Sequence, residues 1–432
     1  MADAVAPPTN KWTSWLFQIF ASAQPPPLGT LDIDEIEEKA KQVLSNDPSA
    51  FLYVMKSAGI CTTHDANRQA FNRWRLIPRV LTDAASRNIE TTIFGVIHPS
   101  PLFVGPVGAQ SLVHPEGELA VARAAAKVGV PMVLSTAASR SIEEVAEANS
   151  DGHRWYQLYW TRSADVTISL LNRAKANGYT ALVITVDTMI IGWRPHDNGK
   201  PYLPTGHGFG NQQGLSDPVF MKRFGFQART HEHPTWPYDQ KTIRDALEKG
   251  DAKAQEALML GGQWVGEIGS GAFRTWDELG FIREHWDGPV VLKGILSVDD
   301  AEKAIDVGID GIIVSNHGGR QVDGAIASLD ALEMITRSTK VVEAQRNGKL
   351  TILFDSGVRT GSDVIKALAM GAQAVLIARP FMYGLAIAGQ DGVEQILMQT
   401  ICDMHITLGL IGYSSVKDLI GKRERVLIKS DY

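Results

Sequence analysis

From Leu102 onward the chain alternates two kinds of stretch. Short apolar runs occupy Leu102–Gly108, Pro131–Thr136, Arg154–Tyr159, Ala181–Asp187, Pro289–Ile295, Gly311–His317, Leu350–Gly357 and Ala374–Arg379. Between them, apolar residues recur at helical spacing over Glu116–Val128, Ser141–Ala148, Ser163–Asn177, Thr275–Glu284, Val298–Val307, Leu329–Ala344 and Gly361–Met370, with a last such stretch at Gly392–Leu408. Uninterrupted apolar strands alternating with amphipathic helices predict a parallel sheet covered by helices. Eight such units predict an α/β fold of the (β/α)8 TIM-barrel type. The competing doubly wound sheet normally has a glycine-rich dinucleotide turn after its first strand; Gly105-Pro106-Val107-Gly108 is not one.

The chain before Leu102 reads differently. Residues 1–30 are rich in Pro and Ala and form an N-terminal arm and linker, packed on the domain or on a neighbouring subunit. Helices are expected at Asp34–Leu44, from Ala50 through Met55, and over Asn67–Trp74. The barrel domain then spans 31–432. The apolar stretch Trp15–Phe20 is too short, and too weakly preceded by positive charge, for a signal peptide. One connection is oversized: an insertion at about 195–272 follows the fourth strand. It is rich in Gly, Pro and His over Pro201–Gly214, continues through Asp217-Pro218-Val219-Phe220, and carries a charged helix over Thr242–Leu260. On the catalytic face of a barrel such a segment is expected to be a lid or a subunit contact.

Composition narrows the classes. The 432 residues are 44% hydrophobic and 21% charged, ordinary for a soluble globular protein. A net charge of −6 gives no basic footprint for nucleic acid. Two cysteines, Cys61 and Cys402, cannot build a disulfide framework, so a reducing, cytoplasmic setting is expected. No apolar run approaches the roughly 20 residues that span a bilayer, so no membrane role is expected.

Residues at the C-terminal ends of barrel strands converge on one site. Those ends carry Val107 and Gly108, Ser135, Gln157 and Tyr159, Thr185 and Asp187, Lys293, Ser315 and His317, Asp355, and Arg379. A purely structural barrel has no need of hydrogen-bonding or ionisable groups at nearly every strand end. The last two units add Asp355-Ser356-Gly357-Val358-Arg359 and Ala378-Arg379, where glycine, backbone N–H groups and two arginines fit a phosphate. Lys293, inside the barrel mouth, either faces an electron-rich group or forms a Schiff base. A phosphate-binding isomerase or aldolase, and a barrel serving only as a scaffold, are both open at this point.

Ser315-Asn316-His317-Gly318-Gly319-Arg320-Gln321 with Asp323 resembles the active-site signature of FMN-dependent α-hydroxy acid oxidases and dehydrogenases. His114–Glu118, Gln157-Leu158-Tyr159, Thr185–Thr188 and Val358-Arg359 look like further landmarks, and the similarity runs from about Asp34 to Leu419. The resemblance implies FMN as cofactor and no metal. It implies His317 as general base, oriented by Asp187, and Arg194, Arg320, Tyr53 and Tyr159 as substrate-binding residues. Flavin contacts correspond to Val107, Gly108, Ser135, Gln157, Thr185, Lys293 and Ser315. The phosphate site corresponds to Asp355, Ser356, Gly357, Val358, Arg359, Ala378 and Arg379.

Gly108, the Gly192-Trp193-Arg194-Pro195 segment and the long fourth loop look like the lactate 2-monooxygenase branch. That branch implies O2-dependent oxidation of a small L-2-hydroxy acid such as lactate, with decarboxylation to acetate, CO2 and water. The alternative is an oxidase releasing the 2-oxo acid and H2O2. A homo-oligomer, tetramer or octamer, is implied as well. Ser57–Cys61 and Ala137 depart from the family pattern near the substrate, and Ala378 stands where Gly is common; the first two leave the identity of the hydroxy acid open.

Overall fold

Strand alternation decides which residues fill a barrel and which meet its helices. In the computed structural model, which describes residues 10–233 and 236–430, eight parallel strands close into a barrel. These are β1 Leu102–Val104, β2 Met132–Ser135, β3 Arg154–Leu158, β4 Leu182–Thr185, β5 Val290–Ile295, β6 Gly311–Val314, β7 Thr351–Phe354 and β8 Ala374–Ile377. Each pairs with the next, and β8 closes the ring onto β1 through Val375 and Leu102. All eight apolar runs thus form the predicted barrel, each strand shorter than its run.

Phe103, Val133, Trp155, Val183, Val291, Ile313, Leu353 and Leu376 point inward and pack together as an apolar plug. Two residues further along, the same face carries Gly105, Ser135, Gln157, Thr185, Lys293, Ser315, Asp355 and Ala378. The period of two therefore lays a polar tier directly on the apolar one. A hairpin of Thr91–Ile93 and Val96–His98 closes the other end, with Ile93 joining the plug. Its three-residue strands left no pattern in the sequence. The opposite strand faces, among them Leu134, Leu158, Ile184, Leu292, Ile312 and Phe354, are buried under helices.

The helices preceding the barrel are α1 Lys11–Ser22, α2 Ile33–Val43, α3 Pro48–Met55 and α4 Thr62–Arg73. The N-terminal arm thus contains a helix, α1, started by the Asn10 side chain on the Trp12 N–H; residues 1–9 of the arm lie outside the described residues. Trp12 is buried, and Thr13 Oγ1 sits 2.8 Å from His405 Nδ1, so the arm packs on its own domain.

Around the strands follow α5 Glu118–Val128, α6 Ile142–Asn149 and α7 Ala164–Ala176, then the insertion with α8 Gln240–Glu248 and α9 Ala252–Ile268. The single helix expected over Thr242–Leu260 is two, parted at Gly250 (φ +76°) and restarted by the Asp251 cap. Then come α10 Leu279–His285, α11 Val298–Asp306, α12 Ser328–Ile335, α13 Thr339–Arg346, α14 Gly361–Met370 and α15 Arg379–Leu410. The helix expected over Leu329–Ala344 is also two, because Ser338 turns its hydroxyl onto the Val341 N–H and begins a second. The final helix starts earlier than expected, at Arg379, and breaks at Ala388–Gly389. Among the described residues no helix is long and apolar enough to cross a membrane.

The insertion is packed rather than suspended. Trp264 is fully buried, edge-on to Phe220 at 5.2 Å and lying over Gly214, where a Cβ would come within 2.3 Å of the indole. Tyr238 contacts Tyr202 and Phe209, and Tyr202 reaches Tyr53 at 6.0 Å. The Gln212 N–H donates to Ala138 O, and Gln213 Nε2 donates to Arg140 O, which fastens the insertion to the loop after β2.

Candidate active site

His317 follows β6 with a left-handed backbone (φ +59°), an uncommon conformation for a residue with a side chain. Its N–H is held by Ser315 Oγ at 3.0 Å. The imidazole Nδ1 lies 2.8 Å from Asp187 Oδ1, at the end of β4, and the Thr188 hydroxyl donates to the same carboxylate oxygen at 2.7 Å. A carboxylate partner makes Nδ1 the protonated nitrogen and leaves Nε2 as the acceptor. Burial opposes ionisation of Asp187, yet His317 and Lys293 bring its pKa down to about 2. Burial holds the His317 pKa below its usual value, with Asp187 pulling it up and Lys293 pushing it down. Gly294, in a bulge of β5, makes room for this pair: a Cβ there would lie 2.7 Å from Asp187 Cβ.

Two guanidinium groups face the same space. Arg194 is buried and donates from Nε to Arg320 O at 3.1 Å and from Nη2 to Gln321 Oε1 at 3.2 Å. Arg320 donates to the carbonyls of Tyr53 (2.6 Å) and Lys56 (2.9 Å), and its guanidinium sits 5.2 Å from the Tyr53 ring centroid. Burial, then Arg194, lowers the Arg320 pKa to about 9. Among the described residues neither arginine forms a direct ion pair; Asp197 acts on both electrostatically, and the two cations share one pocket. Such a pocket favours an anion, and guanidinium forks suit a carboxylate. Tyr53 and Tyr159 line the cleft beside them; burial raises the Tyr159 phenol well above its ordinary range, keeping it a neutral donor.

The cleft encloses about 1510 Å3 of space, its open mouth included. Val107, Gly108, Lys293, Asp355, Ser356, Gly357, Val358, Arg359, Ala378 and Arg379 all line it. Lys293 is buried, donates to Ser315 Oγ at 3.0 Å and stands 3.4 Å from Asp355 Oδ2. Ser135, Gln157, Thr185 and Ser315 do not line the cleft. They form the buried tier below it, where Gln157 Nε2 donates to Thr185 Oγ1 at 2.8 Å. Ser356 and Gly357 are both left-handed (φ +86°), which turns the chain sharply after β7. The α15 N-terminus at Arg379 opens on the same end, a ready anion site. The Arg379 side chain itself is directed at the carbonyls of Val54 (3.1 Å) and Gly318 (3.1 Å). A cleft lined by the buried Lys293 amine, the left-handed turn after β7 and the N-terminus of α15 fits a flavin nucleotide.

Other residues of the site escaped the sequence reading. Thr188 bridges Asp187 and His317, lying 3.0 Å from His317 Nδ1. Gln321 donates to the carbonyls of Asp187 and Ile190 while accepting from Arg194. Both lie inside stretches already singled out, so their position was the available signal. Asn67 of α4 exchanges two amide hydrogen bonds with Asn316, at 2.9 and 2.7 Å, and also accepts from the Ser328 N–H. The neighbouring Arg68 donates to Gly357 O and, at 2.9 Å, to Asp363 Oδ2. Nothing in a polar helix position signals such distant partners. Ile191, Thr205, Val265, Ile268 and Gly269 complete the cleft wall.

Known proteins show the same plan. The profile of the FMN-dependent dehydrogenase family matches residues 40–426. The FMN-dependent α-hydroxy acid dehydrogenase qulF of Penicillium citrinum is 44% identical over 383 residues, covering 89% of this chain and 87% of that protein. An L-lactate oxidase of Lysinibacillus sphaericus is 36% identical over 381 residues, covering 88% and 89%. A crystal structure of mandelate oxidase superposes with a TM-score of 0.72 at 36% identity, covering 93% of this chain and 99% of that one. The chain belongs to the family of FMN-dependent α-hydroxy acid dehydrogenases and oxidases.

Proposed function

We propose that this enzyme oxidises a small, lactate-like L-2-hydroxy acid at the expense of O2, with coupled oxidative decarboxylation to acetate, CO2 and water. The observation that carries the redox reading is the meeting of an Asp187-oriented His317 with the unpaired arginines Arg194 and Arg320 over the Lys293 amine.

The arginines take the substrate carboxylate, with Tyr53 and Tyr159 at its flanks. His317 Nε2, the free imidazole nitrogen, removes a proton from the carbinol, and Asp187 stabilises the imidazolium so formed. FMN, when bound, supplies the two-electron acceptor that O2 reoxidises. Val107, Gly108 and Lys293 would hold its ring system, above the tier of Ser135, Gln157, Thr185 and Ser315. Asp355 to Arg359 and Ala378–Arg379 would hold its phosphate. Lys293 would supply positive charge to a bound group that gains electrons there.

The packed insertion supports the decarboxylating outcome, because its α9 lines the cleft through Val265 and Ile268. A 2-oxo acid retained there meets the H2O2 formed with it; lactate and O2 then give acetate, CO2 and water. A second reading, release of the 2-oxo acid and H2O2, is favoured by relatives named L-lactate oxidase. Product analysis of aerobic turnover decides between them: acetate without H2O2 supports the first, and stoichiometric pyruvate with H2O2 overturns it.

The cytoplasmic setting and the homo-oligomer are part of the same proposal. The first is supported by two cysteines that form no disulfide. The second is supported by exposed Ile60, Ile190, Trp193 and Phe273, apolar side chains that a neighbouring subunit would cover. Light scattering that shows a monomer at working concentration would overturn the oligomer.

A further inference from the structure

We propose that the last turn of α9 is the wall that reads the substrate side chain, and that it selects 2-hydroxy acids whose side chain is aliphatic and uncharged. The inference rests on the cleft being a 2-hydroxy acid site.

One face of α9 is committed to the protein. Gly261 backs against the Gly206 carbonyl, where a Cβ would approach to 2.9 Å. Trp264 is sealed between Phe220 and Gly214. The buried Glu267 accepts from the Ser163 N–H (2.9 Å), the Ser163 hydroxyl (2.7 Å) and Arg223 Nη1 (2.9 Å). Positions 261, 264 and 267 recur at helical spacing and fix the rotation of the helix. Val265 and Ile268, three apart on the adjoining face, are thereby aimed into the cleft.

The cleft's polar groups are allotted by position. Arg194, Arg320, Tyr53 and Tyr159 face the carboxylate, and His317 faces the carbinol. The same cleft is also lined by the apolar Val265, Ile268, Ile191 and Ala137, together with the hydroxyl-bearing Thr205. No charged side chain belongs to this wall. A second carboxylate placed against it would lose its hydration and gain no partner. An aliphatic chain gains apolar contact, and each methylene is worth roughly 10- to 200-fold in selectivity.

The test uses the FMN-loaded protein and anaerobic stopped-flow reduction by L-lactate, L-2-hydroxybutyrate, L-2-hydroxyisocaproate and L-malate. Dissociation constants for propionate and succinate, read from the flavin spectrum, give a readout independent of turnover. Malate is expected to be at least about 100-fold poorer than the best aliphatic acid, and succinate to bind more weakly than propionate. Ile268→Ala is expected to move the preference toward the longer acids by about tenfold, with Ile268→Val close to wild type. Val265→Arg is expected to raise malate reduction. Malate matching lactate overturns the wall, as does an unchanged chain-length ratio in FMN-loaded Ile268→Ala and Val265→Ala. If no 2-hydroxy acid reduces the bound flavin while propionate still binds more tightly than succinate, the oxidoreductase reading fails and the apolar wall stands.

Discussion

Asp187 Oδ1 lies 2.8 Å from Nδ1 of His317, although β5 and the whole insertion separate the two residues in sequence. The contact points Nε2 into the cleft. His317→Gln should yield a folded protein that still binds FMN, with anaerobic flavin reduction slowed by roughly 10²- to 10⁴-fold. Reduction at the wild-type rate would remove His317 from the base role.

The pH profile carries a sign. Burial lowers the His317 pKa below 6.5, so the imidazole is neutral and competent at pH 7. kcat/KM should fall as acidity increases through that lowered pKa. Asp187 pulls that pKa upward, so Asp187→Asn should shift the acid limb to still lower pH while reducing kcat. An acid limb that moves upward would contradict the pairing.

Arg194 and Arg320 are predicted to act as a carboxylate fork. Replacing either by Lys retains charge and loses the planar donor pair. Each variant should weaken binding of an inert carboxylate such as propionate by about 10- to 100-fold, since hydrogen bonds to charged groups contribute about 1.5–3 kcal/mol. Isothermal titration of the FMN-loaded protein measures this, and unchanged affinity would place the carboxylate elsewhere.

Gly108 touches the loop after β2 closely. A Cβ there would lie 2.8 Å from both the Cβ and the carbonyl oxygen of Ala137, and backbone cannot swing aside as a flexible side chain does. Gly108→Ala should cost about 1–3 kcal/mol through displacement of that loop. Equilibrium urea unfolding of the wild type and variant reads the difference; equal stabilities would refute the contact.

Trp264 is the rivet of the insertion. Trp264→Ala should destabilise the protein by about 3–5 kcal/mol, the usual range for emptying an aromatic site. If the insertion retains the 2-oxo acid, the same variant should release more H2O2 per hydroxy acid consumed. A peroxide yield identical to wild type would count against retention.

The barrel was legible because buried parallel strands are written as unbroken apolar runs, and because period two carries each run onto a polar end such as Lys293 or Asp355. His317 and Arg320 lie in the long Ser315–Gln321 signature, whereas Arg194 stands outside it and is marked only by the family resemblance. The two broken helices show a different limit. Gly250-Asp251 and Ser338 announce a stop and a cap, but the apolar rhythm on either side masks them. The hairpin at Thr91–His98 was invisible because a three-residue strand holds less than two periods of any pattern. In the sequence Asn67 is one polar position of a helix. Its partners Asn316 and Ser328 come from the opposite side of the barrel sequence, and a reciprocal amide pair depends on tertiary contact alone.

The Asn67–Asn316 pair has a practical corollary for dividing this protein. Helix α4 precedes every barrel strand, yet through Asn67 it steadies the turn bearing His317, and through Arg68 it grips the turn after β7. The eight βα units are therefore not a portable module. A fragment starting at Thr91 would retain all eight barrel strands and be inert, and adding back residues 10–90 as a separate polypeptide should restore function by complementation. Chimaeras between relatives should exchange α4 and the β6 and β7 turns as one block.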